Sequence, residues 1–517
     1  MADVKMVNLT IEGRAVSVAD GISILEAAKI AGVLVPHYCY HPGLAVAGVC
    51  RMCLVEVEKA PKLAPSCATA VAEGQVVHVH SPKALEARKG VLEMLLINHP
   101  LDCPICDQAG ECELQDYTYQ EGRAEGRYRD PKRFNPVEDF GGDVMYVANR
   151  CILCTRCVRF MDDIAHEPTL AVIERGDRAL IGKADGHDMT HAWAGNVIDL
   201  CPVGALLSKD SLNKARAWEL DRSASVCPNC SQGCNMIVET RDNQVMRLRP
   251  RPNDQVNKFF MCDHGRLNYH WMNRQDRVDA PMVRQGSVLA KTDWEVALVA
   301  AANVLKGKTA FVLASPNLSN EALFLLGKLG KGSFRVPTGP EAPLPGVEDL
   351  ALRTDRAANV RGAELAGFTR SDSPLSGLTA GDVLIVADEE LAGVDAADVA
   401  KAGAVIVIGT TLPAWARHAA QVVLPIANCV EEDGTFTNIR GRVQRFLQSK
   451  AAPGLARPSF FAIGDLLAAT GNGAGFWTAS EAFDALAKSN SEFAGMSYDG
   501  LALKGAITAG AMAGAAR

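Results

Sequence analysis

The chain has 517 residues, 48% hydrophobic and 22% charged, with a formal net charge of −7. That balance is one of an ordinary globular protein and argues against nucleic acid as the main partner. No apolar run reaches the roughly 20 residues of a membrane-spanning helix, and the length suggests about three to four domains.

The opening MADVKMVNLT has neither the basic-plus-apolar pattern of a signal peptide nor the Arg/Ser-rich, acid-poor look of a transit peptide. The expectation is a chain that stays in the reducing compartment where it is made. In such a compartment clustered cysteines bind metal more often than they form disulfides. Fifteen of the sixteen cysteines lie between Cys39 and Cys262, and only Cys429 falls in the remaining half. Metal is therefore expected in the N-terminal half.

VNLTIEGRAVSV (7–18) alternates like a half-buried strand pair, with Glu12-Gly13 at the turn, and SILEAAKIAGV (23–33) has helical spacing. Cys39, Cys50, Cys53 and Cys67 follow as C-x10-C-x2-C-x13-C. Plant-type ferredoxins hold a [2Fe–2S] cluster with C-x4-C-x2-C…C; the first gap here is longer, but the tight pair and the lead-in are the same. A four-thiolate zinc site is the alternative.

ALEARKGVLEMLLINHP (84–100) has helical spacing that Pro100 ends, which places His99 directly before Cys103, Cys106 and Cys112. The spacing is H-x3-C-x2-C-x5-C. No unassigned cysteine is available on either side, and imidazole replaces thiolate on iron in Rieske centres. His99 is thus the candidate fourth ligand of a [4Fe–4S] cluster; the alternative is a surface or capping histidine.

Cys151, Cys154 and Cys157 stand as C-x2-C-x2-C, but Met161 and Asp162 occupy the positions where a bacterial ferredoxin has its Cys-Pro. The complement comes at Cys201-Pro202, ending a second run whose other cysteine positions are His191, Ala194 and Val197. In two-cluster ferredoxins the Cys-Pro cysteine ligates the other half's cluster. Cys201 therefore completes a [4Fe–4S] set, and its twin is lost. The fourth set is Cys227, Cys230, Cys234 and Cys262, spaced C-x2-C-x3-C-x27-C, around the strand-like MIVETRDNQVMRLRP with a turn at Asp242-Asn243. Structural zinc is again the alternative. With His99 counted, the sets give one [2Fe–2S] and three [4Fe–4S] clusters.

Beyond about residue 293, TAFVLAS, DVLIVAD and AVIVIG alternate with helical stretches such as SNEALFLLGKLG, the pattern of a buried parallel sheet. No G-x-G-x-x-G follows a strand, no Walker-type loop is present, and GNGAG (471–475) has the wrong spacing. Neither NADH nor flavin has an evident site, so reducing equivalents must come from another chain. RLRPRP (247–252) reads as a solvated strand edge, with a partner contact as the alternative, and KGAITAGAMAGAAR (504–517) as a flexible tail.

These four ligand sets together resemble the large iron–sulfur subunit of bacterial NADH–quinone oxidoreductase (respiratory complex I), the His99-plus-three-cysteines set above all. EEDGTFTNIRGRVQRF (431–446) resembles a segment of molybdopterin oxidoreductases. The resemblance implies a multidomain α+β and α/β chain. Its parts are a plant-type ferredoxin (β-grasp) domain over 1–80, a His-Cys cluster domain over 81–125 and a two-cluster-type ferredoxin domain with one cluster over 140–215. A [4Fe–4S] subdomain follows over 222–276, then a shortened molybdopterin-oxidoreductase-like α/β domain over 277–503 and the tail. It implies electron transfer from an NADH/FMN-binding flavoprotein subunit, through the Cys39, Cys151 and His99 sets in turn, to a ferredoxin-like subunit on the quinone side. The fourth cluster lies off that route.

The same resemblance places the chain among the peripheral-arm subunits, on the cytoplasmic side of the bacterial inner membrane, with membrane contact only through the complex. No molybdenum cofactor is expected: His264 stands where the active molybdenum enzymes have lysine, and Cys429, beside the 431–446 segment, reads as an inert buried thiol. The rival readings are a large subunit of an NAD-linked formate dehydrogenase, an iron-only hydrogenase (which needs further cysteines) and a zinc-stabilised scaffold.

Overall fold

A computed structural model describes residues 5–184, 186–390 and 396–515. The chain forms two compact units, 1–219 with 344–348, and 220–343 with 349–517.

The N-terminal unit begins with β1 (Met6–Ile11) and β2 (Arg14–Ala19), an antiparallel hairpin that pairs Met6 with Ala19 and Ile11 with Arg14. Glu12 and Gly13 both have positive φ, 47° and 73°, the tight-turn geometry that matches strand twist. Alternation sends Val7, Leu9 and Ile11 inward against Ile24, Leu25, Ala27 and Ala28 of α1 (Ile24–Ile30). Each large apolar side chain among them contributes about 1.5–3 kcal/mol of burial free energy. The Ser23 hydroxyl caps α1 by accepting from the Glu26 N–H. β3 (Leu54–Val57), β4 (Ala64–Pro65) and β5 (Val76–His78) complete a five-stranded sheet ordered β2-β1-β5-β3-β4.

α2 (Pro82–Leu96) starts on the Ser81 hydroxyl, which accepts from Ala84 N–H, with proline in the first turn. At its other end Lys132 Nζ donates to the carbonyls of Leu96 and Ile97 at 2.8 and 2.9 Å. The helix stops there, so His99 sits just beyond it. α3 (Glu113–Glu121) packs on α2; the buried Arg88 bonds Glu121 and the Leu54 carbonyl, tying both helices to the first sheet. β6 (Val137–Gly141), β7 (Val144–Val147), α4 (Arg156–Arg159), β8 (Leu170–Ile173), β9 (Leu180–Lys183), α5 (Asn196–Leu200) and β10 (Leu206–Ser208) follow. They give a three-stranded sheet ordered β10-β7-β6 and a β8–β9 pair.

The C-terminal unit opens with β11 (Asp221–Val226), β12 (Asn235–Arg241) and β13 (Gln244–Pro250), an antiparallel sheet turning at Asp242 and Asn243, both at positive φ. β13 is an edge strand, but RLRPRP is not simply solvated. Arg247 Nε bonds the buried Glu239 carboxylate, and Arg251 Nη1 donates to the Leu503 carbonyl at 3.0 Å. A carboxylate on the neighbouring strand draws the arginine inward, which the one-strand pattern could not show.

α6 (Asp263–Leu267), β14 (Met282–Gln285), β15 (Val288–Lys291), α7 (Trp294–Leu305), β16 (Ala310–Ala314), α8 (Asn320–Leu329) and β17 (Lys331–Phe334) come next. After them lie the short pair β18 (Ala342–Pro343) and β19 (Ala351–Leu352), then β20 (Thr369–Arg370), β21 (Val383–Ala387), β22 (Ala404–Gly409) and β23 (Val422–Pro425). Eight strands form one sheet ordered β15-β14-β23-β22-β21-β16-β17-β20, parallel from β23 through β20, with β14 and β15 antiparallel at one edge. All residues of β21 and β22 are buried because both faces are covered, as the continuous apolar runs predict.

β24 (Gly434–Thr437) and β25 (Arg442–Phe446) then lead to β26 (Ala506–Ile507) and a helix at Ala509–Ala515. This corrects the expected flexible tail over 504–515: Ala506 pairs with Val443 and Ile507 with Arg442. Gly505, at φ 74°, makes the turn, and its backbone lies against the Val443 carbonyl where a Cβ would clash. Small residues let the segment dock, and the same composition read as disorder.

Candidate functional site

The first set assembles in the loops beside β3. Cys53 Sγ lies 3.3 Å from Cys67 Sγ, and Cys39 N–H donates to Cys50 Sγ at 3.5 Å. The Cys39 thiol is held far below the usual thiol range by hydrogen bonds from Cys50 and Cys67, while the same bonds push those two up. Four sulfurs thus share one site. Gly48 and Arg51, at φ 64° and 58°, fold the GVCRMC loop around it; an arginine in the left-handed region is the kind of strain that clusters at functional loops.

The second set gathers beyond α2. His99, Cys103 and Cys112 line one cavity, whose walls include Leu92, Leu96, Leu114 and Tyr119. The charges of Cys106 and Cys103 bear on Cys112, whose thiol is pushed up to about 11, first by burial. Behind Cys106 stands Gly204, where any Cβ would collide with the Cys106 sulfur. His99 Nδ1 is buried without a hydrogen-bond partner. An orphaned imidazole nitrogen in a cavity shared with two thiols, Cys103 and Cys112, is the fit expected of a metal ligand, since buried polar atoms are otherwise satisfied. Burial, then Lys132 and Arg150, lower its pKa to about 4, so the ring is neutral at pH 7, the form that binds metal.

The third set converges most plainly. Cys151, Cys154, Cys157 and Cys201 line a single cavity otherwise walled by Tyr146, Ile152, Ile181, Val203, Ala205 and Leu206 among others. Leu153 and Thr155, at φ 52° and 60°, wrap the C-x2-C-x2-C loop, and Leu153 N–H donates to Cys151 Sγ at 3.4 Å. Backbone N–H groups of Val203, Leu206 and Ala205 act on Cys201. Burial raises the thiols of Cys151 to about 11 and Cys154 to about 12. Thiolates in such a pocket need a cation to compensate the lost water.

The fourth set lies in the C-terminal unit. Cys227, Cys230, Cys234 and Cys262 are buried, and the first two and the last act on Cys234 through their charges. Gly265 N–H donates to Cys262 Sγ at 3.3 Å, and a Cβ on Gly265 would stand 3.1 Å from Cys227 Sγ and 3.4 Å from Cys262 Sγ. Cys429 is buried with its thiol pushed up by burial first, then by Glu432.

Among the described residues no three His, Cys, Asp or Glu side chains form a single-ion site. These four groupings contain the fifteen cysteines and the histidine expected as ligands. What the spacing did not reveal is the set of residues between them: Asp102 and Arg150, Arg156, Gly204, and Tyr146, whose hydroxyl bonds Cys151. Asp102, Arg150, Arg156 and Gly204 all lie within or beside cysteine motifs, the one signal in the sequence that could have found them.

Family models match almost the whole cysteine-bearing region. A 2Fe-2S iron–sulfur cluster binding domain matches 4–82, the NADH-ubiquinone oxidoreductase-G iron–sulfur binding region 88–127, and the NADH-quinone oxidoreductase subunit 3 ferredoxin-like domain 141–207. The molybdopterin oxidoreductase Fe4S4 domain matches 221–274 and the molybdopterin oxidoreductase model 379–469. The NADH-quinone oxidoreductase G-subunit of Rickettsia felis is 40% identical over 338 residues, 64% of this chain and 50% of the relative. The mitochondrial NADH-ubiquinone oxidoreductase 78 kDa subunit of Candida albicans is 39% identical over 382 residues, 74% of this chain and 52% of the relative. The chain spans about half the length of these curated relatives. A polypeptide from the crystal structure of an H2-reduced NAD+-reducing [NiFe]-hydrogenase is 28% identical; the match covers 40% of this chain and 90% of that one, at a TM-score of 0.36. With ferredoxin, 4Fe-4S and molybdopterin-oxidoreductase domains in one mixed α/β chain, this protein belongs to the G-subunit family of NADH-quinone oxidoreductases.

Proposed function

We propose that the chain is the electron-transfer subunit of an NADH-quinone oxidoreductase, linking an NADH-oxidising flavoprotein subunit to a ferredoxin-like subunit on the quinone side. In this reading Cys39, Cys50, Cys53 and Cys67 hold a [2Fe–2S] cluster. Three [4Fe–4S] clusters are held by His99, Cys103, Cys106 and Cys112; by Cys151, Cys154, Cys157 and Cys201; and by Cys227, Cys230, Cys234 and Cys262. The limits 1–80, 81–125, 140–215, 222–276 and 277–503 belong to this reading, with 506–515 docked onto the last domain in place of a tail, and the chain sits in a peripheral arm on the cytoplasmic side of the membrane. No helix among the described residues is long and apolar enough to cross a membrane.

The observation that carries the proposal is His99: its buried Nδ1 has no partner, and its ring faces the cavity of Cys103 and Cys112. Bound clusters supply one-electron carriers. The protein's own contribution is to bury the thiols, keep the His99 ring neutral, and present backbone N–H groups to sulfur, each of which shifts the ease of reduction. Replacing a thiolate by imidazole removes one negative charge and favours the reduced state of that cluster.

The test is reduction by NADH of the iron-loaded chain, followed by low-temperature EPR, with and without the flavoprotein subunit. Cluster signals that develop only when the flavoprotein is present support the proposal. A loaded chain that NADH and flavoprotein leave oxidised overturns it.

A further inference from the structure

The three cysteine sets of the N-terminal unit have one buried cation in common. Arg156 lies on α4 between Cys154 and Cys157 and is 4% exposed. Its Nη1 donates to the Leu200 carbonyl at 3.2 Å, one residue before Cys201. Its Nη2 donates to the Tyr40 carbonyl at 2.9 Å, one residue after Cys39, and pairs with Glu113 Oε2 at 3.4 Å, one residue after Cys112. A single guanidinium therefore touches the chain neighbour of a proposed ligand in all three sets. Arg159 offers a built-in comparison. Its Nη2 donates to the carbonyls of Cys39 at 2.5 Å and Cys154 at 3.3 Å, and its other bonds go to Thr155 and Ala45. Arg159 thus serves the first and third sets but not the second.

We propose that Arg156 is the positioning residue that holds these three sets in one frame, and that its fixed positive charge raises the reduction potential of each cluster. The proposal rests on the ligand reading above. Reduction adds one electron to a cluster whose thiolates are already anionic, so a cation retained in the same low-dielectric interior stabilises the product more than the reactant. Arginine suits this role because it stays protonated at any working pH and its rigid fork bonds several acceptors at once. The Glu113 carboxylate offsets part of that charge towards the second set. The third set, with Arg156 inside its own cysteine motif, feels the charge most; the second feels it least.

The experiment is an EPR-monitored redox titration with dithionite on the full iron-loaded chain, for wild type, Arg156→Gln, Arg156→Lys and Arg159→Gln, with iron measured in each. Arg156→Gln is expected to keep its iron and to shift all three potentials to lower values, most at the Cys151 set. Arg159→Gln is expected to lower only the Cys39 and Cys151 sets. Arg156→Lys keeps the charge but not the fork, so its potentials fall less while the magnetic coupling between reduced clusters, which reads their separation, changes. Full iron with three unshifted potentials in Arg156→Gln overturns the proposal. Should that variant lose its iron, the lysine variant decides: altered coupling supports the proposal, and wild-type coupling overturns it. A wild-type chain that takes up no iron would instead sink the ligand reading on which the proposal stands.

Discussion

Arg150 grips Asp102 from across the sequence: its Nε and Nη2 donate to Asp102 Oδ2 at 3.0 and 2.9 Å. Each stands one residue before a cysteine of a different set, Cys151 and Cys103. The arginine is nearly buried and the aspartate about a third exposed on its side chain. Asp102→Ala leaves the guanidinium without its carboxylate, at a cost of about 1–2 kcal/mol after allowing for solvent on the aspartate side. Urea unfolding should show that loss, together with weaker iron retention. A variant within about 0.5 kcal/mol of wild type, roughly the noise of a neutral surface change, would show that the pair does not brace the two loops.

His99 separates two kinds of variant. His99→Cys should retain the second cluster with a lowered potential, because a thiolate restores the negative charge that imidazole omits. His99→Ala should lose or destabilise that cluster, leaving the other three. Low-temperature EPR reads both, and an unchanged spectrum in the alanine variant would remove His99 from the ligands.

Gly204 is a packing hinge between two sets. It follows Cys201-Pro202, yet its missing side chain makes room for Cys106 Sγ. Gly204→Ala forces sulfur or backbone to move, an overpacking cost of about 1–3 kcal/mol. The expected readout is selective loss of the His99-set EPR signal with the Cys151-set signal retained. Equal loss of both signals would mean general unfolding instead.

Glu321 gives the C-terminal unit a pH signature. Its carboxyl is buried and accepts from the Thr435 N–H at 3.0 Å and hydroxyl at 2.9 Å. Burial raises its pKa from 4.5 to about 7. The unfolded chain therefore releases this proton first as pH rises. The stability tied to the neutral carboxyl is whole below pH 4.5 and is lost progressively up to about pH 7. Glu321→Gln should escape that loss, so the stability difference between the two proteins should change by about 3 kcal/mol over this window. Parallel curves of unfolding midpoint against pH would contradict the assignment.

Much of this architecture was readable beforehand because metal-ligand spacing and strand periodicity are local properties of a chain. The Glu12-Gly13 hairpin, the Asp242-Asn243 turn and the buried runs of β16, β21 and β22 all appear where alternation or continuous apolar sequence put them. The proline after Cys201 pointed to its grouping with Cys151, Cys154 and Cys157, and all four line one cavity. The bonds between sets were not: Asp102 and Arg150 are 48 positions apart, and Arg156 and Tyr40 are 116 apart. No periodicity encodes which distant carbonyl an arginine will meet. The docked segment at 506–515 failed for a different reason, since its order depends on a register with Val443 and not on its own alanine and glycine content.

Iron and acid-labile sulfide, counted per chain in a fully loaded sample and typed by EPR during stepwise reduction, test the central claim most directly. Occupancy of all four sets corresponds to about fourteen irons per chain, two in a [2Fe–2S] and four in each of three [4Fe–4S] clusters, one of them lost in His99→Ala. Zinc in place of iron and sulfide, or a full count that His99→Ala leaves untouched, would contradict it.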